Sequence, residues 1–296
     1  MSGSATAPSR RRTIADRLSG LATRFPINKS RTARIGLALT LIVLFVAVAS
    51  PLIAPYDPIA VDSAQRLQPP SAEHWLGTDQ QGRDVLSRTL YGSRISILSA
   101  VVIVALAVLI GVTAGIVAGY SGGWIDETLM RIADVFLAFP PLLLAMGVAA
   151  ALGPSLTNAI IATSLVWWPW YARVARAEAL YIKHEGFVDA ARTVGASHLR
   201  ILVTHVLPVA RTPIIVQISL SLGAAIVTLA SLSFIGLGAQ PPVPEWGTMI
   251  ADGRAYLLNQ WWIVTAPGVA IFLTIMAFNL LGDGIQEILS PHERNS

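Results

Sequence analysis

Phe187-Val188-Asp189-Ala190-Ala191-Arg192-Thr193-Val194-Gly195-Ala196, followed shortly by Val206-Leu207-Pro208, reads as a soluble helix set among long apolar runs. Phe187, Ala190, Ala191 and Val194 recur at i, i+3, i+4 and i+7 and form one apolar stripe, with Glu185, Asp189, Arg192 and Thr193 away from it. Gly195 is placed to take a left-handed C-cap, and Pro208 is expected to turn the chain before the next apolar run. A charged helix of about nine residues cannot cross a bilayer, which takes roughly twenty mostly apolar residues. It is expected on a membrane face, where its stripe either meets a protein partner or lies on lipid headgroups.

The surrounding composition makes the bilayer the main solvent. Of 296 residues, 54% are hydrophobic and only 13% charged, against roughly 25% charged in soluble domains. Cysteine is absent, which excludes disulfides, thiolate metal sites and a cysteine nucleophile. No Gly-x-x-x-x-Gly-Lys-Ser/Thr phosphate loop occurs, His184-Glu185 lacks the second histidine of a zinc-protease helix, and no Gly-x-Ser-x-Gly elbow is present. The chain reads as a membrane subunit rather than an enzyme.

Working outward, six spans are expected. Residues 1–34 form a basic tail that carries Arg10, Arg11, Arg12, Arg17, Arg24, Lys29, Arg31 and Arg34 against Asp16. Such a tail beside a span marks the cytoplasmic side and meets anionic lipid, in preference to nucleic acid. Ile35 to Ser50 is the first span and is read as an anchor, not a cleaved signal, despite Ala47-Val48-Ala49. A proline-rich segment follows, then Gly77-Thr78-Asp79-Gln80-Gln81-Gly82-Arg83-Asp84, in which Asp79/Arg83 and Asp84/Arg88 fall at i, i+4 and favour a helical or turn-capped lead into the second span. A metal site from His74, Asp79 and Asp84 is set aside because the ligands follow no strong spacing.

The second span, Ile95 to Gly119, has Ala107, Gly111, Gly115 and Gly119 four apart, a face that admits another helix backbone. A third span is expected over Val135 to Leu152 and a fourth over Leu156 to Tyr171, closed by an interfacial aromatic belt of Trp167, Trp168, Trp170 and Tyr171. The fifth runs from about Thr212 to Ile235. The sixth opens at Trp261 and Trp262 and ends near Leu281, at Gly282-Asp283-Gly284. With the N-terminus inside, sixteen Lys/Arg fall on cytoplasmic segments and five outside. The positive-inside rule therefore places both termini and the Asp189 helix in the cytoplasm.

The central parts of these spans lack ionisable residues. An ion-coupled carrier working alone usually keeps one there despite its insertion cost, so energy is expected from outside the membrane. Among the polar groups that remain, Gln217, Ser221, Thr228 and Asn279 are candidates for a translocation path, and others serve as interhelical hydrogen-bonding glue.

Asp189-Ala190-Ala191 with Gly195 and Leu207-Pro208 resembles the EAA signature of permease subunits of bacterial ABC importers, with Asp in place of the commoner Glu. The Leu-Gly-Thr-Asp stretch with Gly82-Arg83-Asp84 is similar to the permeases of dipeptide, oligopeptide and nickel importers, and Ser233-Phe234-Ile235-Gly236-Leu237-Gly238, Glu245-Trp246-Gly247 and Asn279-Leu280-Leu281-Gly282-Asp283-Gly284 resemble their second permease subunit. The resemblance covers about residues 35–292. It implies an all-α integral membrane protein of six transmembrane helices in the type I ABC-importer permease fold. A coupling loop at about residues 178–208 and a tail at residues 293–296 complete the expected organisation. Phe187, Asp189, Ala190, Ala191, Arg192, Gly195, Leu207 and Pro208 would form the ATPase contact, and Gly77, Thr78, Asp79, Gly82, Arg83 and Asp84 the family motif of the first external loop. The same resemblance implies a second permease of similar fold, two ATPases that carry the ATP and magnesium this chain does not bind, and an extracytoplasmic solute-binding protein. The implied setting is the bacterial inner membrane. Short peptides are the expected substrates, with nickel or a nickel chelate as the near alternative.

Overall fold

A computed structural model describes residues 30–289; residues 1–29 of the basic tail and the C-terminal tail lie outside the described residues. The helices are α1 (Arg31–Ile53), α2 (Val85–Ser121), α3 (Gly123–Leu137), α4 (Pro141–Leu152), α5 (Leu156–Ile182), α6 (Gly186–Thr193), α7 (His198–Ile201), α8 (Leu207–Phe234), α9 (Trp246–Gly253) and α10 (Trp262–Leu289). No strand forms among the described residues; Thr78 and Asp84 make one isolated bridge. Among the described residues, four helices are long and apolar enough to cross a membrane: Arg31–Ile53, Val85–Ser121, Pro213–Phe234 and Trp262–Ile288.

The expected third span is broken. Its first residues end α3, and α4 departs at 91° after a short break. Pro140 and Pro141 explain the corner: Pro141 starts α4 at a position where its missing N–H costs nothing, and Pro140 is held out of the helical region by the proline that follows. The helix that holds the fourth expected span is longer than the span as read: α5 continues through Pro169 to Ile182, and the aromatic cluster lies in mid-helix. Trp168 packs edge-on against Phe136 of α3, and Tyr171 enters the core.

α2 and α5 make the most intimate contact in the bundle, through the small-residue face expected on α2. A Cβ on Gly111 would stand 2.3 Å from the Trp168 carbonyl oxygen, one on Gly115 2.2 Å from that of Ala172, and one on Gly119 2.6 Å from that of Arg176. Successive turns of α2 therefore lie directly on the α5 backbone. α1 and α10 repeat the device. Gly36 lies against the Leu281 backbone and Gly284 against Ala33, so Gly282-Asp283-Gly284 does not end the last helix but continues it through a close crossing.

Pro208 likewise does not turn the chain. α7, a π turn at Leu202–Val206 and α8 follow without a break, and the Leu207 N–H bonds to the Leu202 carbonyl in the wider π register. A proline lacks only its own N–H and is accommodated at the first turn of a new helical segment.

Gly115→Val places a branched side chain into the Ala172 backbone. Overpacking of this kind costs about 1–3 kcal/mol or more, so the variant is expected to show a lowered melting temperature in detergent, measured by size-exclusion chromatography after heating. Ala151→Val, at an exposed position on α4, should leave the melting temperature near that of the unmodified protein.

Candidate functional site

On the side of the bundle where residues 183–206 loop between α5 and α8, α6 is a two-turn helix capped by Gly195. Gly195 has φ +80° with open space around its α-carbon, and the Ala196 N–H bonds to the Ala191 carbonyl at 3.0 Å, the six-to-one bond of a Schellman cap. The left-handed cap expected from the sequence is therefore present. The rotation of α6 differs from the expected single stripe. Val188 is fully buried with Ile201 and Val206, Ala191 is partly covered, and Phe187, Ala190 and Val194 face outward. Two adjacent apolar pairs, Phe187-Val188 and Ala190-Ala191, give the helix two usable faces, and the bundle takes the one that seats Val188. Phe187 is 46% and Val194 83% exposed. Asp189 is exposed on this helix, the Arg192 side chain lies outside the described residues, and Leu207 and Pro208 are exposed at the start of α8.

At the opposite end, the Gly77–Asp84 motif between α1 and α2 folds into a knot. Gly77 at φ +67° and Gly82 at φ +78° are obligatory: a Cβ would strike the Gln68 carbonyl oxygen and the Trp262 ring at the first, and the Asp62 carbonyl oxygen at the second. Thr78 is fully buried; its hydroxyl donates to the Gln65 carbonyl and accepts from the Gln68 N–H, while its own carbonyl accepts from Trp262 Nε1 at 3.2 Å. Asp79 accepts backbone N–H groups of Gln81 and Arg83 and pairs with Arg83 Nε at 2.6 Å.

Arg88 also turns to Asp79, at 3.5 Å, and donates to the Pro58 carbonyl, so the expected Asp84/Arg88 pair does not form. Asp84 instead caps α2, accepting from the Ser87 N–H and hydroxyl at 2.7 Å each, and holds His74 Nδ1 at 2.9 Å. A cap must lie before the helix it serves, which aims its carboxylate at the first turn and away from Arg88. Arg83 reaches Asp252 of α9 at 3.8 Å, and Glu245, buried at the N-cap of α9, accepts from the Gly247 and Thr248 N–H groups and from Ser96 of α2. The sequence signal missed here was Glu245 directly before an amphipathic turn.

Between these ends, an open groove follows one face of α8. Near the α6 end it widens to a cleft of about 300 Å³ lined by Trp167, Trp170 and Tyr171 of α5 and Gln217 and Ser221 of α8. Further along, a second cleft of about 310 Å³ opens between Val227, Ser231 and Phe234 of α8 and Leu142 and Met146 of α4. Of the polar residues named as path candidates, Gln217 and Ser221 face the first cleft. Thr228 returns its hydroxyl to the Ala224 carbonyl, and Asn279 lies by Gly223 where α8 and α10 pack.

Two outcomes follow from this knot. Asp79→Asn leaves two buried guanidinium groups without their shared carboxylate. Breaking buried ion pairs from one side costs about 3–5 kcal/mol, and thermal melts should show a large loss of stability. Asp252 is held above the usual carboxylate range by burial, which outweighs the opposing pull of Arg83 and Arg88. Its folded form therefore keeps a proton that the unfolded chain has released, and its contribution to stability falls as pH rises through that interval. Melts against pH should show this slope in the unmodified protein and not in Asp252→Asn.

The family model for the binding-protein-dependent transport system inner membrane component matches residues 111–295, and the N-terminal TM domain of oligopeptide transport permease C matches residues 27–70. The probable D,D-dipeptide transport system permease protein DdpC of Escherichia coli (strain K12) is 50% identical over 84% of this chain and 84% of its own. The dipeptide transport system permease protein DppC of Alkalihalophilus pseudofirmus is 42% identical over 90% of this chain and 87% of its own. In fold, the chain is similar to a chain of the inward-facing MetNI methionine ABC transporter, with a TM-score of 0.56 and 18% identity over 69% of this chain and 97% of that one. With the family model matching 185 of the 296 residues and relatives 42–50% identical over at least 84% of the chain, the chain belongs to the family of binding-protein-dependent transport system inner membrane components.

Proposed function

We propose that this chain is the permease subunit of an ATP-driven importer that moves short peptides into the bacterial cell. The observation that carries the substrate class is the extent of likeness to relatives named for dipeptide transport, at 42–50% identity over at least 84% of the chain. In this reading the bent pair α3–α4 and the less apolar α5 complete six crossings, with both termini in the cytoplasm. The sixteen-to-five distribution of Lys and Arg supports that orientation. A second permease of similar fold, two ATPases that bind ATP and magnesium, and an extracytoplasmic solute-binding protein complete the transporter.

α6 is the proposed ATPase-docking element. Support comes from Ala190 and Val194, which face outward, with Phe187 46% exposed beside them. Movement would pass through Val188 to the bundle and along the helical run from His198 into α8.

Gly195→Val tests this proposal directly. A branched residue at φ +80° costs on the order of 1–3 kcal/mol in backbone strain and re-aims α6, while the open space around Gly195 removes any clash as a cause. The variant and Asp189→Lys are expected to reach the membrane in normal amount but to co-purify less ATPase, with peptide uptake and substrate-stimulated ATP hydrolysis falling together. Full assembly and uptake in Gly195→Val would remove α6 as the coupling element.

A further inference from the structure

The cleft between α5 and α8 contains hydrogen-bonding capacity that the described residues leave unused. Gln217 Nε2 donates to Ser221 Oγ at 3.4 Å, a long bond that engages one of its two hydrogens. Its Oε1 and second hydrogen have no partner among the described residues, although a primary carboxamide can use both. Beside this pair on the cleft lining, Tyr171 is 1% exposed, and its hydroxyl is buried with no hydrogen-bond partner among the described residues. A polar atom kept from water without a partner, as the Tyr171 hydroxyl is, is costly, and the Gln217 carboxamide stands beside it at an open space of about 300 Å³ walled by Trp167 and Trp170.

The lining has no Asp, Glu, Lys, Arg or His, so the site is matched to neutral groups and not to charged peptide termini. A donor and an acceptor side by side on one carboxamide complement the N–H and C=O of a single residue in an extended chain, which point to the same side. The indole faces supply apolar contact to side chains of varied shape.

We propose that this cleft is a transient subsite for the backbone of the transported peptide, with Gln217 as the group that engages one residue's N–H and C=O. The inference rests on the peptide-importer reading. It adds that recognition within the membrane is by backbone, independent of side-chain identity, so the cleft passes varied sequences while favouring peptides over other neutral solutes. Ser221 holds the carboxamide in plane for the contact and is a positioning residue.

The experiment uses the complete transporter in proteoliposomes, with its partner permease, ATPases and binding protein, and two probes: tri-alanine and the same peptide methylated on its central amide nitrogen. Initial ATP-driven uptake of each is compared for the unmodified chain and for Gln217→Leu, which keeps similar volume and suits an apolar setting. Loss of the Gln217 hydrogen bonds should lower tri-alanine uptake by about tenfold and change uptake of the methylated peptide much less, so that the preference ratio collapses. The binding protein meets both peptides in both transporters, so its own discrimination cancels in this double comparison. An unchanged preference ratio overturns the subsite. Loss of the partner permease from the Gln217→Leu complex also overturns it, because Gln217 would then serve subunit packing. If the unmodified transporter takes up neither peptide with ATP, the peptide-importer reading itself fails.

Discussion

Everything in this bundle depends on backbone contact between α2 and α5. In a bilayer, helices gain little from hiding apolar surface from each other, because lipid is as apolar as leucine; close packing and hydrogen bonds have to hold them together. Gly111, Gly115 and Gly119 let the α5 carbonyls of Trp168, Ala172 and Arg176 lie where side chains would otherwise stand. That contact sets the rotation of α5. It seats Tyr171 and Trp168 in the interior and leaves Trp167 and Trp170 along the α8 groove.

The two ends of the bundle solve opposite problems. At the end where α2 begins, buried charge makes a rigid clamp: Asp79 gathers Arg83 and Arg88, Asp84 caps α2, and Trp262 and Asp252 tie α10 and α9 to the same loop. The desolvation cost of burying these ions is offset only because each is met by several groups, which makes the knot intolerant of single losses. At the other end, α6 seats Val188 in the core with Ala191 and Ala196 partly covered beside it, closes with its Schellman cap, and turns Ala190 and Val194 outward. Such an attachment suits a segment whose outer face is completed by another chain, as proposed for the ATPase.

The polar residues of α8 differ in how they use their hydrogen-bonding capacity. Thr228, Ser231 and Ser219 return their hydroxyls to carbonyls one turn back, at Ala224, Val227 and Ile215, and so spend their hydrogen-bonding capacity within α8. Gln217 is too long for that local bond, which is why it can present its carboxamide to the cleft. The corner at Pro140-Pro141 brings α4 across the half of the groove beside Val227 and Phe234, so one α8 face meets aromatic neighbours along one half and aliphatic ones along the other.

Composition, period and charge asymmetry were enough to identify a helical membrane subunit, because apolar run length and the positions of Lys and Arg are properties of the chain itself. The left-handed cap at Gly195 and the packing face of α2 were legible for the same reason: residue type and spacing determine them locally. The rotation of α6, the continuation of α10 through Gly282 and Gly284, and the choice of Asp79 over Asp84 by Arg88 were not. Each was settled between alternatives that local sequence leaves nearly equal. Two apolar faces were open to α6, a glycine can end a helix or admit a neighbour, and two carboxylates lay within reach of one guanidinium. Tertiary structure decided among them because only assembled elements determine which face is covered, which backbone approaches and which carboxylate is already occupied as a cap.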